Sequence, residues 1–263
     1  LTYYAQVGKA LGDMIGYKYL GIYTADDFDE VGGKFVPKEG VAVEDGKTPQ
    51  PGDIKWDLAP DKDGKMKRKL QKIGNGTPDC IGGFNNTFTY KGFDLSIFLK
   101  FSIGNDIYNA TKHSMSPYAA FQNIPTDFAN YYRLIDPVTG KMAASLDRIR
   151  ELNANNPDYT WGLTTTNSGY ITDANSFYVE DGSYLRIGQI TLGYTFPSKW
   201  LKKAYISNLR LYFTCNNVAT WTKYSGYNPD TSAANDNVVC TPGYDSSTYP
   251  LSRSYVLGLN LSF

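Results

Sequence analysis

The clearest pattern in the chain is an alternation of apolar and polar side chains over segments of about ten residues. From Phe93 to Ile103 every second residue is apolar, and the intervening positions include Asp94, Ser96 and Lys100. The segment Ile190 to Phe196 alternates in the same way. A period of two predicts β-strands that present one apolar and one polar face.

Six such strands are predicted, and the segments between them show no sustained period. The strands cover Asp13 to Thr24, Ile81 to Tyr90, Phe93 to Ile103, Val179 to Pro197, Asn208 to Val218 and Tyr255 to Phe263. Long loops are expected over 26–78, 104–181 and 219–252, with one short helix from Met142 to Leu152. Leu185 and Ile187 are out of phase with Ile190, which predicts a bulge near Gly188.

A strand with one apolar face occurs both in soluble sandwiches and in outer-membrane barrels. Asp94 and Lys100 lie in the middle of a strand, which suits a water-filled lumen better than a dry sandwich. The connections also differ in length, because the Lys91-Gly92 turn and a ten-residue link alternate with long loops. This asymmetry favours an all-β fold, the strands of a large antiparallel transmembrane β-barrel with long extracellular loops.

The composition of the chain argues against several classes of function. The 26 Lys and Arg residues balance the 26 Asp and Glu residues, so no basic surface for nucleic acid is expected. No apolar run approaches the length of a membrane-spanning helix, and Leu1 to Ala5 lack the pattern of a signal peptide. His113 is the only histidine, and Cys80, Cys215 and Cys240 lack metal-like spacing. We therefore expect neither an enzyme nor a metal or other cofactor.

The acidic stretch Asp57 to Gly64 is the one candidate for a calcium loop. Calcium loops need oxygen ligands at alternate positions that close on a carboxylate. Here Ala59 and Pro60 interrupt the series, and several lysines follow it. A solvated charged turn is therefore expected at this position.

Several short motifs follow one another along the chain. They are Gly16-Tyr17-Lys18 with Gly21-Ile22-Tyr23, Pro51-Gly52-Asp53-Ile54-Lys55, Ile73-Gly74-Asn75 before Pro78-Asp79, Lys91-Gly92-Phe93-Asp94-Leu95 leading to Gly104-Asn105-Asp106-Ile107-Tyr108-Asn109, and Glu180-Asp181-Gly182-Ser183-Tyr184-Leu185-Arg186-Ile187 with Ile190-Thr191-Leu192-Gly193-Tyr194-Thr195-Phe196-Pro197. In this order they resemble the SusC/RagA-type TonB-dependent outer-membrane transporters. The family often has a regular acidic Asp/Asn-Gly-Asp-Gly loop, from which Asp57 to Arg68 departs.

The resemblance implies that residues 1–263 are the C-terminal portion of a transporter barrel in the bacterial outer membrane. They would supply about six strands, and the plug and the earlier strands have no counterpart in this sequence. The implied function is TonB-dependent active import of a nutrient, an oligosaccharide or a peptide. The implied partners are a SusD-like surface lipoprotein that acts as a lid, the TonB complex through the N-terminal part, and outer-membrane lipid.

Two groups of side chains are candidates for contact with a ligand. Aromatic rings in the long loops can stack on sugar rings or side chains, although they can equally pack against the loops or form an interfacial girdle. These are Trp161, Trp221, Tyr118, Tyr131, Tyr132, Tyr224 and Tyr227. Asp94, Lys100 and Arg210 are predicted to face the lumen, where they either steer substrate or pair with other charges.

The alternative is a secreted soluble β-domain that binds carbohydrate through its aromatic loops. A glycosidase would need two carboxylates on either side of the scissile bond. Glu180 and Asp181 are adjacent, and adjacent strand residues point to opposite faces. A binding domain is therefore the stronger form of this alternative.

Overall fold

The computed structural model describes residues 7–116, 126–156, 158–163, 172–231 and 241–263. The chain divides into two compact units. The first comprises 1–74 and 108–179, and the second comprises 75–107 and 180–263.

The second unit is built on one antiparallel sheet of five strands, numbered here in chain order. They are β1 (Cys80–Tyr90), β2 (Phe93–Ile103), β3 (Tyr184–Thr195), β4 (Asn208–Thr222) and β5 (Ser254–Ser262). Each strand pairs with the next, so the sheet is a simple meander. Lys91 and Gly92 both have positive φ, which produces the tight β1–β2 turn that the sequence predicts. Short helical turns, Ser198–Leu201 and Lys202–Ala204, connect β3 to β4.

The predicted bulge in β3 is confirmed at Gly188. Phe98 and Leu99 are adjacent in β2. Phe98 pairs with Gln189 and Leu99 pairs with Ile187, so Gly188 has no partner residue in the register. The same irregularity recurs between β3 and β4. The extra residue restores the phase, so that the apolar side chains on both sides of Gly188 share one face of the sheet.

The burial of the two faces of this sheet is the reverse of that in a soluble sandwich. We call it the reversed sheet. Apolar side chains line one face, and many of them are exposed, including Leu257 at 79%, Phe93 at 52% and Leu192 at 48%. On the opposite face Arg186 and Thr214 are buried. A soluble sandwich would bury the apolar face instead.

The first unit contains short elements around an aromatic core. Its strands are Asp13–Tyr17, Tyr19–Ile22, Phe28–Val31, Lys34–Pro37, Ile54–Trp56, Leu58–Pro60, Met66–Arg68 and Leu70–Asn75, the last ending at the boundary of the unit. Its helices are Ala110–Ser114 and Leu146–Asn153, with 3₁₀ turns at Ala25–Asp27, Thr126–Ala129 and Ser176–Tyr178. Three further short strands belong wholly or partly to the second unit, namely Asp106–Asn109, Val179–Asp181 and Tyr244–Asp245. Phe28, Ile149, Trp161 and Tyr178 are buried in the core.

Several predicted elements differ from the structure. The segment Asp13 to Thr24 is two short strands, and they pair with Leu70–Asn75 and Ile54–Trp56 rather than with the main sheet, which therefore has five strands instead of six. The predicted loop over 26–78 contains six short strands of three to six residues, which are too short to show a period in the sequence. The predicted strand Val179 to Pro197 is broken at Gly182, whose missing side chain leaves room for Asn105 and Ile107.

The predicted helix is present, but it begins four residues later than expected. Ser145 caps it, because its hydroxyl accepts a hydrogen bond from the Arg148 N–H at 3.2 Å. Met142 lies outside the helix, in a bridge to Ile135. Among the helices within the described ranges, none is long and apolar enough to cross a membrane.

Candidate functional site

The polar face of the main sheet carries two clusters of charge. In the first, Asp94 of β2 and Arg210 of β4 form a bidentate ion pair, with Nε–Oδ1 and Nη2–Oδ2 distances of 3.0 and 2.5 Å. The pair passes over β3 at Gly193, where an added Cβ would lie 2.5 Å from both side chains. Glycine at this position is therefore a condition for the ion pair.

The second cluster joins Lys100 of β2, Arg186 of β3 and Asp230 of the loop that follows β4. The Lys100 ammonium contacts the Asp230 carboxylate, and Arg186 Nη1 lies 3.4 Å from the same oxygen. The aromatic ring of Tyr184 lies 5.1 Å from the Arg186 guanidinium and 5.8 Å from the Lys100 ammonium. Two cations thus share one carboxylate beside an aromatic ring.

Arg186 is the anchor of this cluster. Only 2% of its surface is exposed. Its guanidinium donates to Thr220 Oγ1 at 2.8 Å and to Asn228 Oδ1 at 2.7 Å, in addition to its contact with Asp230. A guanidinium offers several donors in a rigid fork, so this single side chain fixes the loop residues Asn228 and Asp230 against the sheet.

The carboxylate of Asp230 stays ionised in this setting. Burial by itself would raise the pKa of Asp230, but the hydrogen bond and charge of Lys100, the hydrogen bond from Tyr184 and the charge of Arg186 outweigh burial. Its pKa therefore lies below the ordinary value of 3.8.

A cavity of about 600 Å³ opens beside this cluster. Its size is that of a small-molecule site. The lining combines side chains of the sheet with residues of the loops that cover it, among them Phe98, Lys100, Asn105, Tyr184, Asp230 and Pro242. Aromatic, cationic, anionic and amide groups therefore meet in one concave surface.

The structure brings together only part of the predicted site. Asp94, Lys100 and Arg210 all lie on the polar face of the main sheet, and each is ion-paired. That this face lines a lumen stays a prediction for these three residues. Their role in steering a substrate stays a prediction. Tyr118 lies outside the residues that the structure describes.

Three of the predicted aromatic contacts are interior residues. Trp161 is 2% exposed and packs against Phe177 with ring centroids 4.6 Å apart. Tyr132 is buried, and its hydroxyl accepts a hydrogen bond from the Ala25 N–H at 3.0 Å. Tyr224 is buried too, and its hydroxyl donates to Asp245 Oδ2 at 2.5 Å. These rings stabilise loops, and they offer little surface to a ligand.

Trp221 lies in a strand and not in the loop predicted to begin at Ala219. It belongs to β4, which extends to Thr222, and its partner across the sheet is Leu185 on the apolar face. A shallow depression beside it is lined by Phe101 and Leu185. Trp221 is therefore an aromatic at the end of the apolar face. Tyr227, 74% exposed, and the half-buried Tyr131 stay predicted ligand contacts.

The acidic stretch is part of a hairpin in the structure. Asp61 Oδ1 accepts hydrogen bonds from the N–H groups of Asp63 and Lys65 at 2.8 and 2.9 Å. This carboxylate thus closes the turn between Leu58–Pro60 and Met66–Arg68. Within the described ranges, no group of three or more His, Cys, Asp or Glu side chains is placed to hold a metal ion. Cys80 and Cys215 are free thiols, and Cys240 lies outside those ranges.

The site residues predicted from the sequence do not include Phe98, Arg186 and Asp230. Phe98 is the one aromatic residue on the polar side of the β2 pattern, a departure that is visible in the sequence. Arg186 is a charge within a strand, which is also a recognisable signal. Asp230 lies 44 residues beyond Arg186 in a loop without a period, and nothing in the sequence links the two.

Comparison with known proteins reveals clear relatives, although no protein-family model matches the sequence. The TonB-dependent receptor P3 of Formosa agariphila is 30% identical over 266 residues, which cover 97% of this chain and 22% of the receptor. The TonB-dependent receptor P39 of the same organism is 30% identical over 99% of this chain and 26% of its own length. The TonB-dependent receptor SusC of Bacteroides thetaiotaomicron is 25% identical over 70% of this chain and 15% of its own length.

Solved structures share the fold over the whole chain. The RagAB peptide importer in its open-open state matches with a TM-score of 0.59 and 18% identity, covering 100% of this chain and 24% of that chain. The RagAB peptide transporter gives a TM-score of 0.58 at 19% identity. The chain is a relative of the SusC/RagA-type TonB-dependent transporters.

The SusC/RagA relationship explains the reversed sheet. The resemblance drawn from the sequence motifs is confirmed, as is the all-β antiparallel barrel fold. In a transmembrane barrel the exposed apolar face meets lipid and the polar face lines the lumen. The chain spans about a quarter or less of the length of these SusC/RagA-type relatives.

Proposed function

We propose that this chain is part of a transporter that uses TonB to import a nutrient across the bacterial outer membrane. The nutrient is an oligosaccharide or a peptide. The main observation is the sheet of β1 to β5, which exposes large apolar side chains on one face and buries the charged Arg186 on the other. The TonB-dependent receptors among its relatives support the same function. Transport rather than catalysis is the activity proposed, because these relatives are receptors and transporters.

We further propose that residues 1–263 are the C-terminal portion of the barrel, with the plug and the other strands supplied by the rest of a longer protein. The proposed partners are a SusD-like surface lipoprotein as a lid, the TonB complex and outer-membrane lipid. The relationship to SusC and to the RagAB importer supports this assignment. Tyr131 and Tyr227 are proposed as contacts for either the ligand or the lid.

The test is made on the full-length gene product in its own host. Uptake of labelled oligosaccharides and peptides is measured in the wild type, in a deletion strain and in cells treated with a protonophore. The expected result is a protein recovered with outer membranes, and uptake of at least one substrate that is lost both on deletion and on collapse of the proton gradient. Uptake of a small sugar that passes through porins is the control and stays unchanged.

The same fractionation separates the two candidate classes. A protein that is released in water-soluble form without detergent contradicts the transporter and supports a secreted carbohydrate-binding domain. Co-purification of a surface lipoprotein in mild detergent is the expected result for the proposed lid. Its absence from a protein that still imports nutrient would contradict the lid alone.

A further inference from the structure

The cavity beside Lys100 contains an aromatic surface that the sheet itself holds in place. Phe98 stands on the polar face of β2, where its partners in the register are Asn85 of β1 and Gln189 of β3. Its ring reaches diagonally over Gly83 of β1 and Gly188 of β3. An added Cβ on Gly83 would lie 3.3 Å from Phe98 Cε2, and one on Gly188 would lie 3.1 Å from Cδ1, at the opposite edge of the ring. The two glycines therefore allow the ring to lie across the neighbouring strands.

The position of Phe98 is unusual for an apolar side chain. It lies on the face where neighbouring positions in β2 hold Ser96 and Lys100, yet 37% of its surface is exposed. It also lines the cavity. An open aromatic surface in a small cavity suits a flat ligand that stacks on it, such as a sugar ring.

Within the described residues, the cluster beside the cavity holds more positive than negative charge. Lys100 and Arg186 contribute two positive charges, and Asp230, which both contact, contributes one negative charge. Arg186 is held by Thr220 and Asn228 in a buried position, so its charge is fixed beside the cavity. Lys100 is partly exposed and lines the cavity itself. An anionic group placed beside Lys100 would neutralise the excess charge in a partly buried site, where charges interact strongly.

We infer that this cavity binds an acidic sugar unit of an oligosaccharide, with the ring over Phe98 and its carboxylate or sulfate beside Lys100. The Asp230 carboxylate supplies acceptors for the ligand's hydroxyls. An acidic peptide would also satisfy the charge, but it carries its carboxylate on a flexible chain and has no ring to cover Phe98. The inference rests on the proposed import function and specifies the substrate class.

The experiment measures binding to the full-length protein in detergent by isothermal titration calorimetry. The probes are a galacturonate trimer, a sulfated galactose trimer, a neutral galactose trimer and triglutamate. The expected order is that at least one acidic trimer binds more tightly than the neutral trimer and triglutamate. Lys100→Met, which keeps the stem and removes the charge, should weaken the acidic trimer about tenfold or more, because charge-assisted hydrogen bonds are strong. The neutral trimer should change little.

Phe98 and the controls test the geometry. Phe98→Leu should weaken the acidic and neutral trimers alike by about fivefold, which corresponds to a typical aromatic contact. Lys100→Arg should preserve the preference for acid, and it shows that a loss in Lys100→Met is not simply misfolding. Ser96→Ala is the matched control, since Ser96 shares the strand and the face with both residues but does not line the cavity.

Several outcomes overturn the inference. They are equal binding of neutral and acidic trimers, tighter binding of triglutamate, no binding of either acidic trimer, and unchanged affinity in Lys100→Met. The proposed import function fails separately, through absence from the outer membrane or a lack of energy-dependent uptake of any oligosaccharide or peptide. A transporter that imports only neutral sugars or peptides would therefore retain the function and lose the acidic subsite.

Discussion

Gly193 shows how a single missing side chain permits a long-range contact. The Asp94 and Arg210 side chains meet directly above it, and both retain only about a quarter of their exposure. A bidentate guanidinium–carboxylate pair has little tolerance for displacement, because two parallel hydrogen bonds must be kept at once. The residue between the partners thus matters as much as the partners themselves.

We predict that Gly193→Ala destabilises the barrel by about 1–3 kcal/mol, because the new methyl group displaces the ion pair. The urea midpoint of the full-length protein in detergent measures the effect. In an Asp94→Asn/Arg210→Gln background the same substitution should cost much less, as in a double-mutant cycle. An equal cost in both backgrounds would show that the methyl group acts on the backbone instead.

Tyr23 gives a residue-scale prediction about pH. Its hydroxyl donates to the Ala42 carbonyl at 2.7 Å, and burial, followed by the charges of Asp27, Asp53 and Glu44, raises the pKa of Tyr23 from 10.0 to about 12. Between these values the unfolded chain loses the phenolic proton while the folded protein keeps it. The free energy of unfolding therefore falls with rising pH, by up to about 1.4 kcal/mol per unit for this one group.

The measurement compares Tyr23→Phe with the wild type over pH 8–12. The variant should show a shallower loss of stability above pH 10, and the two should have parallel profiles below it. Tyr249, which is 85% exposed, provides the control substitution Tyr249→Phe. Identical slopes in Tyr23→Phe and the wild type would contradict the assignment.

At the scale of elements, one strand residue holds a whole loop segment. Arg186 of β3 binds Asn228 and Asp230, and these residues also bond to one another, since the Asp230 N–H donates to Asn228 Oδ1 at 3.1 Å. This contact holds the loop where it forms part of the cavity wall. The position of the loop therefore depends on a side chain in the sheet.

We predict that Arg186→Ala frees this segment and raises the rate of proteolysis there about tenfold or more. Loss of a buried guanidinium leaves its partners unsatisfied, at about 1–3 kcal/mol, which shifts local opening by that amount. Limited proteolysis with mapping of the cleavage sites measures it. Arg253→Ala is the control, because Arg253 is exposed and makes one long contact, to the Asn217 carbonyl at 3.4 Å. Similar cleavage in both variants would refute the anchoring role.

The sequence predicts long strands well and short ones poorly, for physical reasons. β2 shows six apolar residues in strict alternation, and the bulge in β3 appears as a change of phase at Gly188. The segment Asp13 to Thr24 also looks like one strand, but its two halves find different partners, and pairing is decided by tertiary contacts. The same limit applies to the site, where Lys100 was predicted and its partner Asp230, 130 residues away, was not.

For the whole molecule, the reversed sheet predicts that a new lysine has different effects on folding on its two faces. Leu257, 79% exposed, lies on the apolar face of β5, whereas Asn260 lies on the polar face opposite Arg210. We predict that Leu257→Lys lowers the yield of folded protein in the outer membrane, since a lysine facing lipid costs about 2–4 kcal/mol near the middle of the bilayer. The amount of folded protein in outer-membrane fractions measures it.

Asn260→Lys is the matched control, because it places the same residue in the same strand on the wet face. It should cost clearly less than Leu257→Lys, because a like charge opposite Arg210 on the wet face costs less than a lysine in lipid. If both variants accumulate normally, the apolar face does not meet lipid. If only Asn260→Lys fails, the assignment of the two faces is reversed.

The ion pair above Gly193 also has a mechanical consequence. Asp94 and Arg210 belong to β2 and β4, which are not neighbours, so their contact braces the sheet over the intervening strand. Stretching the sheet across its strands must break two parallel charge-assisted hydrogen bonds in addition to the ladder, whereas sliding β3 along its own axis beneath the brace does not. The wall at this level is therefore stiffer against widening than against shear.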